Sequence, residues 1–295
     1  MSTQTVMNPY LPPLTPLIPT RKTQIMSILN LTPDSFSDGG THPPSDQTYL
    51  DHLIQSHLDA GATILDIGGQ SSRPGAASIS AGQELSRILP AIGVAKQMGT
   101  KMALSVDTYR ASVAEIAIKA GAHIINDISA GMLDPDMLKT VARLGCTIIL
   151  MHMRGTPETM MEKKFTTYEG DLIATVGNEL RERISAAEAA GIRRWRIILD
   201  PGIGFAKNLE HNLEILRRFR ELREYPGLEG LPWVVGVSRK SFIGHITGVQ
   251  EPKDRTWGTA GAVTAAVQGG ADIVRVHDVD EMAKVVKIAD AIWRK

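Results

Sequence analysis

The chain has 295 residues with 32 basic and 32 acidic side chains, so its formal net charge is zero, which argues against a polycationic nucleic-acid binder. The hydrophobic fraction of 43% is ample for a core, and no apolar stretch approaches the roughly 20 residues of a membrane-spanning helix. A single cysteine, Cys146, excludes an intrachain disulfide and a cysteine-based metal cluster; lying in an apolar run, it reads as a buried free thiol in a reducing compartment.

Residues 1–23 carry Pro9, Pro12, Pro13, Pro16 and Pro19 and no acidic residue. Proline at that density suits neither a helix nor a central strand and predicts an extended arm or linker. Its only basic residues are Arg21 and Lys22, too few for a transit peptide, so a cytoplasmic location is expected ahead of a mitochondrial one.

Beyond the arm, eight short β-rich runs alternate with helical stretches, at 24–30, 63–68, 101–107, 123–127, 146–152, 196–200, 233–238 and 272–277. Each has the length and apolar character of a buried parallel strand. Leu209, Leu213, Leu216, Phe219 and Leu222 step by three or four and predict one apolar helical stripe, with a solvated face of mixed charge around it. Gly61, Gly121 and Gly270 each stand beside alanine just before a run, where a glycine can end a helix and turn the chain into the next strand. Eight βα units predict an α/β protein: a single-domain (β/α)8 TIM barrel over residues 24–295, preceded by the proline-rich N-terminal arm. A doubly wound open sheet is the alternative, but no GxGxxG follows the first run.

The runs finish, in order, with Asn30, Asp66, Asp107, Asn126-Asp127, His152, Asp200, Ser238 and His277. In a barrel all these ends lie on one face, where the loops build the active site. One Asp at a strand end is as readily a cap or turn; eight polar endings predict a pocket lined by hydrogen-bonding groups. Asp107, Asn126 and Asp200 offer carboxylates and an amide that suit a flat nitrogen heterocycle, whose donors and acceptors each need a partner. The bland reading is that these three only tie loops together.

Two loops follow consecutive strands, NLTPDSFSDGG from Asn30 and IGGQSSRPG from Ile67. Both are glycine-rich and polar, and together they suggest a lid. Arg73 in the second is a cation fit for a carboxylate or phosphate. Ser238 and Lys240 are two apart, as are Arg275 and His277, so each pair is expected to share one side of its strand. The last strand of a barrel often borders a phosphate site. With Asn30 beside it as a hard oxygen donor, Arg275 and His277 suggest a place for a Mg²⁺-bound di- or triphosphate. No zinc spacing and no Ser-His-Asp arrangement is legible.

NLTPDSFSDGG, DIGGQSSRPG, SVDT, IIND, LMH, DPGIGFAK, SRKSFIG and RVHD, in this order from about Ile25 to Asp278, resemble the dihydropteroate synthases. The resemblance implies a (β/α)8 barrel, usually homodimeric, that joins p-aminobenzoate to 6-hydroxymethyl-7,8-dihydropterin diphosphate and releases diphosphate in folate biosynthesis. It implies Asp107, Asn126, Met151, Asp200, Phe205, Lys240 and Arg275 as pterin contacts. It implies Phe36, Ser72, Arg73, Pro74, Ser238 and Lys240 around p-aminobenzoate. Asn30, Arg73, Arg275 and His277 would meet the diphosphate, with Asn30 as the magnesium position. Asp34, Lys240, Arg275 and His277 would act in catalysis, Asp34 by stabilising a cationic pterin intermediate. Gln70 and Ser72 depart from the family's usual Glu and Thr, which puts the fit of p-aminobenzoate and of sulfonamides in question. GIRRWRIILDPGIGFAK looks fungal, and fungal versions end longer multifunctional folate-pathway chains. Small molecules are the expected partners, with neither nucleic acid nor membrane. The competing readings are a methyltransferase that uses a reduced folate, which needs neither the SSRP loop nor Arg275 and His277, and a pterin-binding module without catalysis.

Overall fold

Strand pairing turns the alternation of the sequence into a closed wall. A computed structural model describes residues 22–32, 46–71 and 78–294. The strands are β1 Gln24–Asn30, β2 Ile64–Gly68, β3 Ala103–Asp107, β4 Ile124–Asp127, β5 Thr147–Met151, β6 Ile197–Asp200, β7 Val234–Val235 and β8 Ile273–Val276. They pair in parallel in the order β6-β5-β4-β3-β2-β1-β8-β7, and a parallel bridge from Leu199 to Trp233 joins the two ends. The fold is the (β/α)8 barrel that the alternation predicts.

Helices α1 Gln47–Asp59, α2 Ala81–Gln97, α3 Ala111–Ala120, α4 Met137–Leu144, α5 Lys163–Thr166 and α6 Leu172–Ala189 accompany the first five strands. The others are α7 Leu209–Arg217, α8 Phe219–Arg223, α9 Ser241–Thr247, α10 Thr256–Gln268 and α11 Val279–Trp293. None of the described helices is long and apolar enough to cross a membrane.

Each strand is buried on both faces, and its residues divide by parity. Met26, Ile64, Ala103, Ile124, Ile149, Ile198, Val234 and Ile273 meet inside the barrel as one buried cluster. Their neighbours Ile25, Leu65, Leu104, Ile125, Ile148, Ile197, Val235 and Val274 belong to the outer cluster that packs the helices on the wall. Two residues further along, on the inward parity, stand Asp66, Ser105, Asn126, Met151, Asp200 and Arg275. A step of about 7 Å along each strand thus passes from an apolar plug to a layer of mainly polar and ionisable groups.

Two expectations are corrected. The run at 233–238 is a strand only at Val234–Val235, and Arg239 has a φ of 61°. The alternation argument for Ser238 and Lys240 therefore fails, since both sit in a turn, with Lys240 at the start of α9. The stripe from Leu209 to Leu222 is likewise not one helix. The helix breaks at Arg218, which pairs with Asp171, Glu214 and Glu221. The break lets α8 bury Phe219 edge-on against Trp233 at 5.5 Å, while Ile215 takes an inward place and Leu209 stays exposed.

Candidate active site

Register lines up the floor of the site. Asn30, Gly68, Asp107 and Asn126 are successive partners across β1 to β4, and Met151 pairs with Asp200 across β5 and β6. The side chain of Asn30 lies over Gly68, its Oδ1 3.3 Å from where a Cβ would stand.

Arg275 reaches across this floor. Its Nε donates to Asp66 Oδ2 at 2.6 Å and its Nη2 to Asp107 Oδ2 at 2.8 Å. Asn126 Nδ2 donates to the same oxygen of Asp66 at 3.0 Å. Asp66 is fully buried, and its Oδ1 has no hydrogen-bond partner among the described residues. Because Asp66 takes the amide NH2 of Asn126, it turns the Asn126 carbonyl oxygen away from itself as a remaining acceptor. In the sequence Asp66 stands only as the end of a run. Its inward parity, two residues past Ile64 of the barrel plug, is the signal that marks it.

Burial pushes the Asp107 carboxyl up to about 7, with the charge of Arg275 pulling the other way. Asp200 is raised by burial too, opposed by Lys240 and by a 2.7 Å bond from the amide of Gly202. Arg275 is held charged against its burial by Asp66 and Asp107. Burial lowers Lys240 to about 8, with Asp200 holding it up. A cation and carboxylates thus face one another in a largely buried site, where their charges act more strongly than in water.

Lys240 bends back over the loop after β6. Its Nζ donates to the carbonyl of Ile203 and sits 4.5 Å from the centre of the Phe205 ring. Asn212 Oδ1 accepts from the amide of Gly204 at 2.6 Å and braces the same loop from α7. Met151 packs with Ile128, Met153, Met160 and Ala206 in a small apolar cluster, against which Phe205 leans. Ser238 Oγ accepts from the amide of His277 at 3.2 Å and lies 3.0 Å from its Nδ1. The turn after β7 thereby reaches the end of β8 without the strand that the sequence suggested.

The site residues expected at Asp107, Asn126, Met151, Asp200, Phe205, Ser238, Lys240, Arg275, His277 and Asn30 all stand at the exits of the strands or in the loops that follow them. Asp34, Phe36, Ser72, Arg73 and Pro74, and the lid that their loops suggest, lie outside the described residues. Asp127 serves its own loop. Its carboxylate accepts from the amide and hydroxyl of Ser129 at 2.8 and 2.7 Å and from the amide of Gly131 at 2.7 Å. Gln70 bridges the base of the second loop, with Oε1 accepting from the amide of Ile79 at 2.9 Å.

A described group of three His, Cys, Asp or Glu side chains able to hold a metal is not present. Asn30 offers one hard oxygen. That donor set suits a magnesium ion that keeps its waters and arrives with a phosphate, rather than one caged by the protein.

Residues 26–277 match the family described as pterin binding enzyme. The chain is 51% identical to the folic acid synthesis protein fol1 of Pneumocystis carinii over 273 residues, which cover 92% of this chain and 36% of that one. It therefore spans about a third of the length of its fungal relatives. It is 45% identical to the dihydropteroate synthase of Synechocystis over 98% of both chains. A solved structure of the Yersinia pestis dihydropteroate synthase with a sulfonamide drug superposes with a TM-score of 0.83 at 41% identity, covering 92% of this chain and 94% of the other. The Xanthomonas albilineans dihydropteroate synthase with 4-aminobenzoic acid gives 0.81 at 39%, covering 92% and 93%.

Proposed function

The chain belongs to the family of pterin binding enzymes, and from that premise we propose that it is a dihydropteroate synthase. It condenses 6-hydroxymethyl-7,8-dihydropterin diphosphate with p-aminobenzoate to 7,8-dihydropteroate and diphosphate. The observation that carries this reading is the ring of Asp107, Asn126 and Asp200 on the inward face of β3, β4 and β6, crossed by Arg275 from β8.

The carboxylates and the amide carbonyl accept from the N–H groups of the pterin, while Met151 and Phe205 cover its face. Leaving any of these acceptors unpaired in a buried site costs about 1–3 kcal/mol, which is the source of selectivity for the heterocycle. The amino group of p-aminobenzoate attacks the CH2 carbon. The C–O bond breaks, diphosphate leaves with the electron pair, and the new secondary amine gives its surplus proton to water. The aromatic amine is already nucleophilic, so the demand falls on the leaving charge. Arg275 and His277, at the end of β8, would meet it. Asn30 would hold Mg²⁺ on the diphosphate, and the ion would supply further neutralisation of the leaving group. Lys240 serves the pterin and p-aminobenzoate together from above Phe205.

The enzyme acts as a homodimer in the cytoplasm. Exposed apolar side chains on its last helices, among them Ile246, Trp257, Ile288 and Ile292, support the pairing, and buried Cys146 supports a reducing compartment.

The test is diphosphate release by the purified chain, with each substrate omitted in turn. Release that requires dihydropterin diphosphate and is coupled to dihydropteroate formation is expected. Lys240→Ala and Arg275→Ala should each lower turnover by about 100-fold or more in the folded variant; Arg275→Ala should also lower the melting temperature, because it leaves the Asp66 and Asp107 carboxylates without their cation. Near-normal rates in both variants would remove these residues from the site.

A further inference from the structure

Behind the pterin floor lies a buried cation that the proposed reaction does not use. Lys207, in the loop between β6 and α7, is 2% exposed. Its Nζ lies 2.8 Å from His152 Nδ1, 3.0 Å from the carbonyl oxygen of Phe205 and 3.4 Å from that of His152. Three acceptors meet the three protons of an ammonium. Taking that charge out of water costs several kcal/mol, and an apolar side chain of the same length would fill the space. Burial lowers Lys207 to about 7, against the charge of Asp200, which holds it up.

The acceptor at His152 is itself prepared. For Nδ1 to accept, the ring must carry its proton on Nε2, and Nε2 faces Glu179 Oε2 of α6 at 2.8 Å. Burial works against the charge of Glu179, yet hydrogen bonds from His152 and Arg154 hold its carboxyl down to about 2. Arg154 stacks 4.1 Å over the ring of Tyr168, whose hydroxyl donates to the carbonyl of Ala206 at 3.0 Å. The backbone carbonyls of residues 152, 205 and 206 are therefore all fastened from behind. Those residues adjoin or include Met151 and Phe205, and the loop starts at Asp200.

We propose that Lys207 is a positioning residue for the pterin site: through His152 and two backbone carbonyls its ammonium locks the exits of β5 and β6 together and sets Asp200 and Phe205 at the spacing the pterin ring needs. The inference rests on the dihydropteroate synthase reading. It predicts a larger effect on the pterin substrate than on p-aminobenzoate, because Asp200 and Phe205 meet the pterin, whereas p-aminobenzoate is met by Ser238 and by Lys240, which only rests on Phe205.

The experiment is steady-state kinetics of Lys207→Met in the full chain. The KM for dihydropterin diphosphate should rise roughly 10- to 100-fold, as for a binding group displaced by about an ångström. The KM for p-aminobenzoate, and kcat at saturating pterin substrate, should stay within about threefold. Glu179→Gln keeps an acceptor for His152 but removes the charge, and should move the same KM by a few-fold. A folded Lys207→Met chain with unaltered KM, or with lowered kcat alone, overturns the proposal. If that variant does not fold, nitrogen-15 spectra of His152 in the unaltered chain decide: a protonated Nε2 and bare Nδ1 are expected, and the opposite tautomer overturns it. An unaltered chain that neither binds nor turns over dihydropterin diphosphate overturns the dihydropteroate synthase reading itself, and this inference with it.

Discussion

At the scale of single residues the site is governed by what each carboxylate can bind. Asp107 and Asp127 stand at the ends of neighbouring strands and look alike in sequence. Asp127 spends its oxygens on Ser129 and Gly131, whereas Asp107 faces Arg275. Burial sets Asp107 to about 7 and Lys240 to about 8. On the proposed reading the pterin needs Asp107 ionised and Lys240 charged, so kcat/KM for the pterin substrate should be bell-shaped. On that reading activity falls below about 7 as Asp107 gains its proton, and falls on the alkaline side as Lys207, lowered to about 7, and Lys240, lowered to about 8, lose theirs. Asp107→Asn should lower the whole profile and abolish its acid limb; an acid limb unchanged in that variant would assign the titration to another group.

At the scale of elements, the exits of β5 and β6 approach backbone to backbone. Gly202 has a φ of +67°, and a Cβ there would collide with the carbonyl oxygen of His152, the same carbonyl that Lys207 holds. Gly202→Ala should therefore destabilise the fold by about 1–3 kcal/mol from overpacking, with the left-handed backbone adding about 1 kcal/mol or more. Urea melts check the stability, and calorimetric titration of dihydropterin diphosphate should show weakened binding in the folded variant. Gly99, also at positive φ but with open space around it, is the control, where Gly99→Ala bears only the backbone penalty. The corrected elements teach the same lesson. The stripe from Leu209 to Leu222 has helical spacing, but spacing carries no information about Arg218 meeting Asp171, the N-cap of α6, and that contact accompanies the break.

For the whole molecule, stability is linked to pH through the buried His152. Burial, with the charge of Lys207, lowers it from 6.5 to about 4. A folded-state pKa below the unfolded one means that the unfolded chain binds more protons between those values. The contribution of neutral His152 is thus complete above about 6.5 and lost as the pH falls towards 4. Its size is about 3 kcal/mol. Urea titrations at pH 7, 5.5 and 4.5 should show His152→Gln less sensitive to acid than the unaltered chain over this window; equal slopes would mean that His152 does not carry the effect.

The sequence by itself determined the alternation of eight apolar runs with helical stretches, and that is enough to specify the barrel, because strands buried on both faces must be wrapped by helices. It also determined which residues close each run, and so put Asp107, Asn126, Asp200 and His277 among the candidates, with Arg275 two residues before His277. Only the tertiary structure decided how they are shared. Whether Asp66 lies at a run's end or two residues above the apolar plug depends on strand register. Whether Lys207 is a surface lysine or a buried tie depends on a contact 55 residues away. The apolar parity along a run narrows the register, but the pairing of each strand is completed by its neighbours on both sides of the closed barrel, and no local pattern encodes a contact as distant as that of Lys207 with His152.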